Sequence, residues 1–296
     1  MFETVLPIIV PIFACAGLGW LWIKFGRPFD IATMTPLVTY IGAPCLVFSS
    51  MVHLSVGAEA LADMVLATIL ALVCFGVIGA IGLRIFRLAP SRYLSPLVFT
   101  NTGNMGMPLC LFAFGAVGLE LAAVFFTVSM VMMLLFGVWL MSGEATPKKV
   151  FAAPLPYALA AAFAFRGAEV EPPAWLYNTT SLLGDMTVPL MLFSLGVSLA
   201  GMRVVSLRRS LILAVARLVM GLGVGVALAA WFGLEGVIRG VFIIECTMPP
   251  AVFNYLYARL YNQAPEETAS VILLSRVISS ATLPLLLHLV LGLGGT

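Results

Sequence analysis

Three charges lie deep inside apolar stretches of this 296-residue sequence: Glu245, Arg217 and Arg276. Each sits about ten residues into its stretch, which at about 1.5 Å per residue is roughly 15 Å, near the centre of a bilayer. A charge there costs several kcal/mol unless it is paired or hydrated, and it commonly marks an ion or substrate path. Glu245 stands just before Thr247, Met248, Pro249 and Pro250. Proline ends a helical hydrogen-bond ladder, so freed carbonyls beside this carboxylate could join it around Na⁺, or the carboxylate could carry a proton. For Arg217 and Arg276 the alternative is structural, an ion pair with Glu245. Asp185, close to Pro189, either pairs with a neighbour or faces an outer vestibule.

A second group is uncharged. Asn101, Thr102, Gly103, Asn104, Gly106 and Pro108 fall within one apolar segment, roughly residues 93–116. Gly and Pro weaken a helix, and Asn prefers caps and turns to helix interiors. At membrane depth, backbone released from helix is tolerated where it is buried in protein or lines a cavity. Asparagine amides can donate to a carboxylate, and their carbonyls can coordinate a cation. Capping of two half-helices is the plainer role, and the two are compatible. Asn101, Asn104, Gly106, Pro108, Met248, Pro249 and Asn254 are thus candidate substrate contacts. Glu245, Thr102, Thr247 and Met248 are candidates for a coupling cation.

The elements that position these groups are membrane helices. Hydrophobic residues make up 62% of the chain, charged residues 9%, and the mean hydropathy is +1.12. The pattern predicts ten spans, near 4–24, 33–53, 60–84, 92–116, 119–141, 149–166, 178–200, 207–232, 236–258 and 267–291. Short connections leave no room for a soluble domain. The start of the chain lacks a basic leader and a small-residue cleavage site, so the first run reads as a retained helix. Loops after odd-numbered spans hold eleven of the fifteen basic residues, among them Lys148, Lys149 and Arg203, whereas loops after even-numbered spans hold only Arg166 and Arg239. Excess basic residues mark cytoplasmic loops, which places both termini outside.

Weak internal matches suggest two related halves, residues 1–143 and 144–296. Pro44–Ser49 resembles Pro189–Ser194 at an offset of 145, Val98-Phe99 resembles Val241-Phe242 at 143, and Glu120 with Ala122 resembles Glu267 with Ala269 at 147. Five spans per half make the second half enter from the opposite side. Interrupted helices at matching places in inverted halves point to a site at the bilayer midplane. The fold expected is an all-α membrane protein of two inverted five-helix repeats, with broken spans four and nine crossing.

Other features carry less. The net charge of +2 gives no case for nucleic-acid binding, and the five cysteines lie singly in apolar runs as buried thiols. His53 and His288 fall near the outer boundary without a partner at ligand spacing. Met130, Met132 and Met133 read as packing. Gly221, Gly223 and Gly225 follow no strand and read as a close helix contact. There is no nucleophile with a base at usable spacing and no metal pair, so no enzyme and no cofactor is expected.

The chain resembles the auxin efflux carrier family, which contains plant auxin carriers and bacterial malate and malonate carriers. The resemblance rests on Asn101-x-x-Asn104-x-Gly106-x-Pro108-Leu109 and on Tyr257-Ala258-Arg259-x-Tyr261-Asn262-x-x-Pro265. It implies the fold of bile acid–sodium symporters and sodium–proton antiporters. Spans one, two, six and seven would form a scaffold, dimeric through spans two and seven; spans three to five and eight to ten would form a transport domain moving as an elevator. It also implies that Pro249 lies at the span-nine crossover and that Asn101 contacts substrate. Glu245 departs from the plant carriers, which lack an acid here; bile acid symporters have a glutamate there that helps bind Na⁺. The expectation is a secondary transporter of a small mono- or dicarboxylate in a bacterial inner membrane, coupled through Glu245 to Na⁺ or H⁺. Its rivals are a cation–proton antiporter using Glu245 with no organic substrate, and a receptor-like homologue.

Overall fold

A lipid environment offers no water to backbone amides, so each crossing segment must satisfy its own hydrogen bonds. The computed structural model is accordingly helical, and it describes residues 2–52, 57–142, 153–201 and 204–292. His53, Lys148, Lys149 and Arg203 lie outside the described residues. The helices are α1 (Phe2–Lys24), α2 (Ile31–Leu37) continued by a π-helical turn into α3 (Ala43–Val52), α4 (Ala58–Ile85) and α5 (Pro90–Val98). After a break come a π turn (Thr102–Gly106), α6 (Met107–Met132), a second π turn and α7 (Val138–Ser142). The remainder are α8 (Leu155–Gly167), α9 (Ala174–Asp185), α10 (Thr187–Gly201), α11 (Leu207–Trp231), α12 (Gly236–Thr247), α13 (Phe253–Leu260) and α14 (Pro265–Gly292).

Among the described residues seven stretches are long and apolar enough to cross a membrane. Seven is fewer than ten for physical reasons. Span four is split, and α5 has only 9 residues; span nine is split between α12, with 12, and α13, with 8. The stretch Thr102–Met141 covers 40 residues, which as one straight helix would be about 60 Å, twice the hydrocarbon thickness. It turns at Gly115, where φ is 68° and ψ −152°. That left-handed conformation is open to glycine and separates the end of span four from span five. The 13-residue α8 falls short because the start of the expected sixth span lies outside the described residues.

Packing draws the helices into neighbourhoods. α1 lies along α10, where a side chain on Gly19 would overlap the Phe193 carbonyl and one on Gly196 the Ala16 carbonyl. α3 packs against α8 and α9, with Gly184 against Leu46. α11 packs against α4, α12 and α14, and α6 against α4 and α12. Small residues at such crossings let backbones approach, the usual means of association where lipid removes the hydrophobic drive. At the centre, Phe75, Phe125, Phe242 and Met107 are fully buried.

Candidate functional site

The two breaks meet. Among the described residues no strand forms, but an isolated antiparallel bridge joins Thr100 and Pro250. The Asn101 amide donates to the Pro249 carbonyl at 2.7 Å, and the Ala251 amide donates to the Phe99 carbonyl at 3.1 Å. Backbone groups freed by Gly and Pro thus satisfy one another across the crossover. Pro249 does lie at the crossover.

Asn254 fastens this junction. Its Nδ2 donates to the carbonyls of Phe99 and Ala251, both at 3.0 Å, and its Oδ1 accepts from Ser95 Oγ at 2.7 Å. With all three bonds internal and no exposure, Asn254 is a clamp of the crossover and does not line the cavity beside it.

That cavity holds about 830 Å³ of atom-free space, part of it open to the outside. Asn101, Thr102, Gly103 and Asn104 form one wall, Ala251, Val252 and Phe253 another, and α2, the π turn after it, α6 and α10 close the rest. Four polar atoms on lining residues are buried without a hydrogen-bond partner: Thr100 Oγ1, Asn101 Nδ2, Ser129 Oγ and Ser194 Oγ. Buried polar groups are rarely left unpaired, so four such residues around one cavity favour a polar ligand there. Between them the lining is apolar, with Met34, Met130, Met133, Met191, Phe99 and Phe126, and it contains no ionised side chain. Of the expected substrate contacts, Asn101 and Asn104 line this cavity; Gly106, Pro108, Met248, Pro249 and Asn254 are not among its lining residues. The sequence pointed to neither Ser129 nor Ser194, which reach the cavity from separate helices.

None of the three charges lines the cavity. Glu245 is fully buried, with its carboxylate against Gly106, where any side chain would overlap it. Cys110 Sγ donates to Glu245 Oε1 at 3.7 Å, whereas Oε2 has no partner. Gly106 ends the π turn that opens α6, and its amide donates to the Asn101 carbonyl at 3.1 Å, so the carboxylate packs against the helix one turn in from the break. Arg217 stands at a helix end. Its Nη2 donates to the Cys246 carbonyl at 2.8 Å, in the last turn of α12, and its guanidinium lies 4.4 Å from the centre of the Phe75 ring. Gly221 makes room, since a Cβ there would come within 2.8 Å of Arg217 Nη1. The C-terminal end of α12 therefore already carries a protein cation.

The expected ion pair between Glu245 and an arginine does not form among the described residues. Arg276 is 2% exposed, and its three guanidinium nitrogens lack partners. Asp185 is exposed at the end of α9, which corrects its reading as a buried charge partner. Thr102 lines the cavity, and Thr247 Oγ1 donates within its own helix to the Ile243 carbonyl at 2.6 Å. Among the described residues no three acidic, histidine or cysteine side chains gather as a metal site.

A many-helix membrane protein with two broken helices crossing beside a central cavity belongs to the broad class of membrane transporters. Comparison with known proteins makes this specific: residues 138–287, half of the chain, match the family model described as membrane transport protein, and the chain belongs to that family, the auxin efflux carrier family. It is 29% identical over 127 residues to auxin efflux carrier component 1 of Arabidopsis thaliana, a match covering 42% of this chain and 20% of that carrier. This chain therefore spans a fifth of the plant carrier's length. It is 25% identical over 264 residues to an uncharacterized transporter of Methanocaldococcus jannaschii, covering 82% of this chain and 84% of that one.

Proposed function

We propose that this transporter carries a small organic anion, a carboxylate on an apolar body, through the crossover cavity by an elevator motion coupled to Na⁺ or H⁺. The observation that carries this reading is the cavity itself: neutral hydrogen-bonding groups, led by the unpaired Asn101 Nδ2, set in an apolar wall. A carboxylate can accept from Asn101 Nδ2 and from the hydroxyls of Thr100, Ser129 and Ser194. The methionine and phenylalanine lining suits the rest of the molecule. No basic side chain lines the cavity, so a second carboxylate would be desolvated without a counter-charge, which favours a monocarboxylate. In the elevator reading, α1, α3, α8, α9 and α10 form the scaffold, paired through spans two and seven in a dimer, and α4–α6 with α11–α14 carry the site. Both termini lie outside a bacterial inner membrane, and the cavity opens to the cytoplasm.

Coupling follows from charge. An ionised, empty Glu245 repels an arriving anion, and a cation or proton on it removes that repulsion. Oε2, the oxygen without a partner, is the atom that would take either. The rival antiporter reading lacks an acid in the cavity from which a cation would be delivered. Counterflow of labelled monocarboxylates and dicarboxylates in proteoliposomes, with and without a Na⁺ or pH gradient, tests the proposal. Exchange of a monocarboxylate that depends on either cation is the expected result. Cation–proton exchange with no carboxylate movement would overturn it.

A further inference from the structure

A second cavity lies on the flank of the helical assembly, between α4 and α11. Its walls are Gly79, Gly82 and Phe86 on one side and Ile212, Ala216 and Met220 on the other. It holds about 1,610 Å³ of atom-free space, much of it open outward. The groove exists because its walls are cut back: no atom lies within 4 Å of the place where a Cβ on Gly82 would stand. The helix surfaces beside it are apolar and exposed, with Ile78, Ile81 and Ile85 on α4 and Leu211, Val215 and Val219 on α11. Such surfaces face hydrocarbon, so the groove opens to the bilayer.

One end of the groove differs. Arg208 and Arg209, which also line it, stand at the start of α11. Arg209 is engaged: its Nη1 donates to the Tyr93 hydroxyl at 3.1 Å and pairs with Glu267 Oε1 at 3.2 Å, and Tyr93 hydrogen-bonds the same carboxylate. Arg208 is exposed and has no hydrogen bond or ion pair among the described residues. Ser206, at the same end, has its Oγ buried without a partner. An apolar trough lined from Arg208 to Met220 along α11, about 18 Å at about 1.5 Å per residue, thus ends at one uncompensated cation and one unpaired hydroxyl. That pairing is the outline of an anionic lipid, with hydrocarbon along the groove and phosphate at its mouth.

We propose that this groove binds an anionic glycerophospholipid, one acyl chain lying between α4 and α11 and the phosphate accepting from Arg208 and Ser206. The site is separate from the crossover cavity and stands whether or not the carboxylate reading holds. Because α4, α5, α11 and α14 all contribute, the lipid bridges helices on one side of the assembly.

Native mass spectrometry of the detergent-purified protein, titrated with phosphatidylglycerol or phosphatidylcholine of identical acyl chains, tests this. Wild type should retain phosphatidylglycerol roughly five-fold better, the preference expected from one basic side chain near the headgroup. Arg208→Gln should erase that preference while keeping the acyl contribution, and Gly82→Phe, which fills the trough, should reduce retention of both lipids. Equal retention of the two lipids by wild type, or an undiminished preference in Arg208→Gln, would overturn the proposal. Displacement by millimolar glycerol phosphate as effective as by phosphatidylglycerol would also overturn it, because the site would then read the phosphate alone. A thermal melt of each variant separates loss of the site from loss of the fold.

Discussion

At Gly106 the missing side chain decides where a charge can lie. The Glu245 carboxylate occupies the space a Cβ would take, at the π turn that opens α6. Gly106→Ala therefore forces a clash or displaces the carboxylate; it should destabilise the protein by about 1–3 kcal/mol and lower transport, both readable from a thermal melt and an uptake assay. Glu245→Gln keeps the shape and removes the charge. Carboxylate uptake by this variant should persist and lose its dependence on Na⁺ or pH; full retention of that dependence would remove Glu245 from coupling. Arg276 makes a different point. A guanidinium with three unpaired nitrogens at 2% exposure is costly to hold, so Arg276→Met should leave thermal stability equal or raise it, and a large loss of stability would reveal a partner essential to the fold. The burial of Glu245, Arg217 and Arg276 was legible from their spacing in apolar runs. Their partners were not, because Arg217 bonds a carbonyl and Glu245 a thiol, and neither bond follows from complementary charge.

The crossover is an element-scale device. Each half-helix releases backbone groups where Gly or Pro interrupts it, and the other half accepts them at Thr100 and Pro250. Asn254 adds three side-chain bonds to this junction. At about 1 kcal/mol each, Asn254→Ala should cost roughly 3 kcal/mol, seen as a lowered melting temperature, with transport falling because the cavity wall loosens. That a break occurs was readable from the asparagines, glycines and proline of Asn101–Pro108. Its extent was not: only Phe99–Asn101 leaves the helix, and Thr102–Pro108 is helical, a π turn running into α6. The half-helices before the two breaks, 9 and 12 residues long, also differ in length. Asp185 is exposed, so of its two readings the pairing with a buried neighbour is the one that fails.

For the molecule as a whole, apolar composition and basic-loop bias specify a many-helix membrane protein, and the family match to residues 138–287 makes it a transporter. The cavity is the part that no single segment encodes. Ser129 and Ser194 come from helices far apart in sequence and matter only because packing brings them to line the same cavity as Asn101. The central claim is that this space holds the carboxylate of the transported substrate. Counterflow of a labelled apolar monocarboxylate in proteoliposomes, compared between wild type and Asn101→Ala, tests it most directly. Saturable exchange by wild type, with apparent affinity weakened roughly tenfold in the variant by loss of a hydrogen bond to the charged group, is the predicted result. Exchange of equal affinity in both proteins would contradict it.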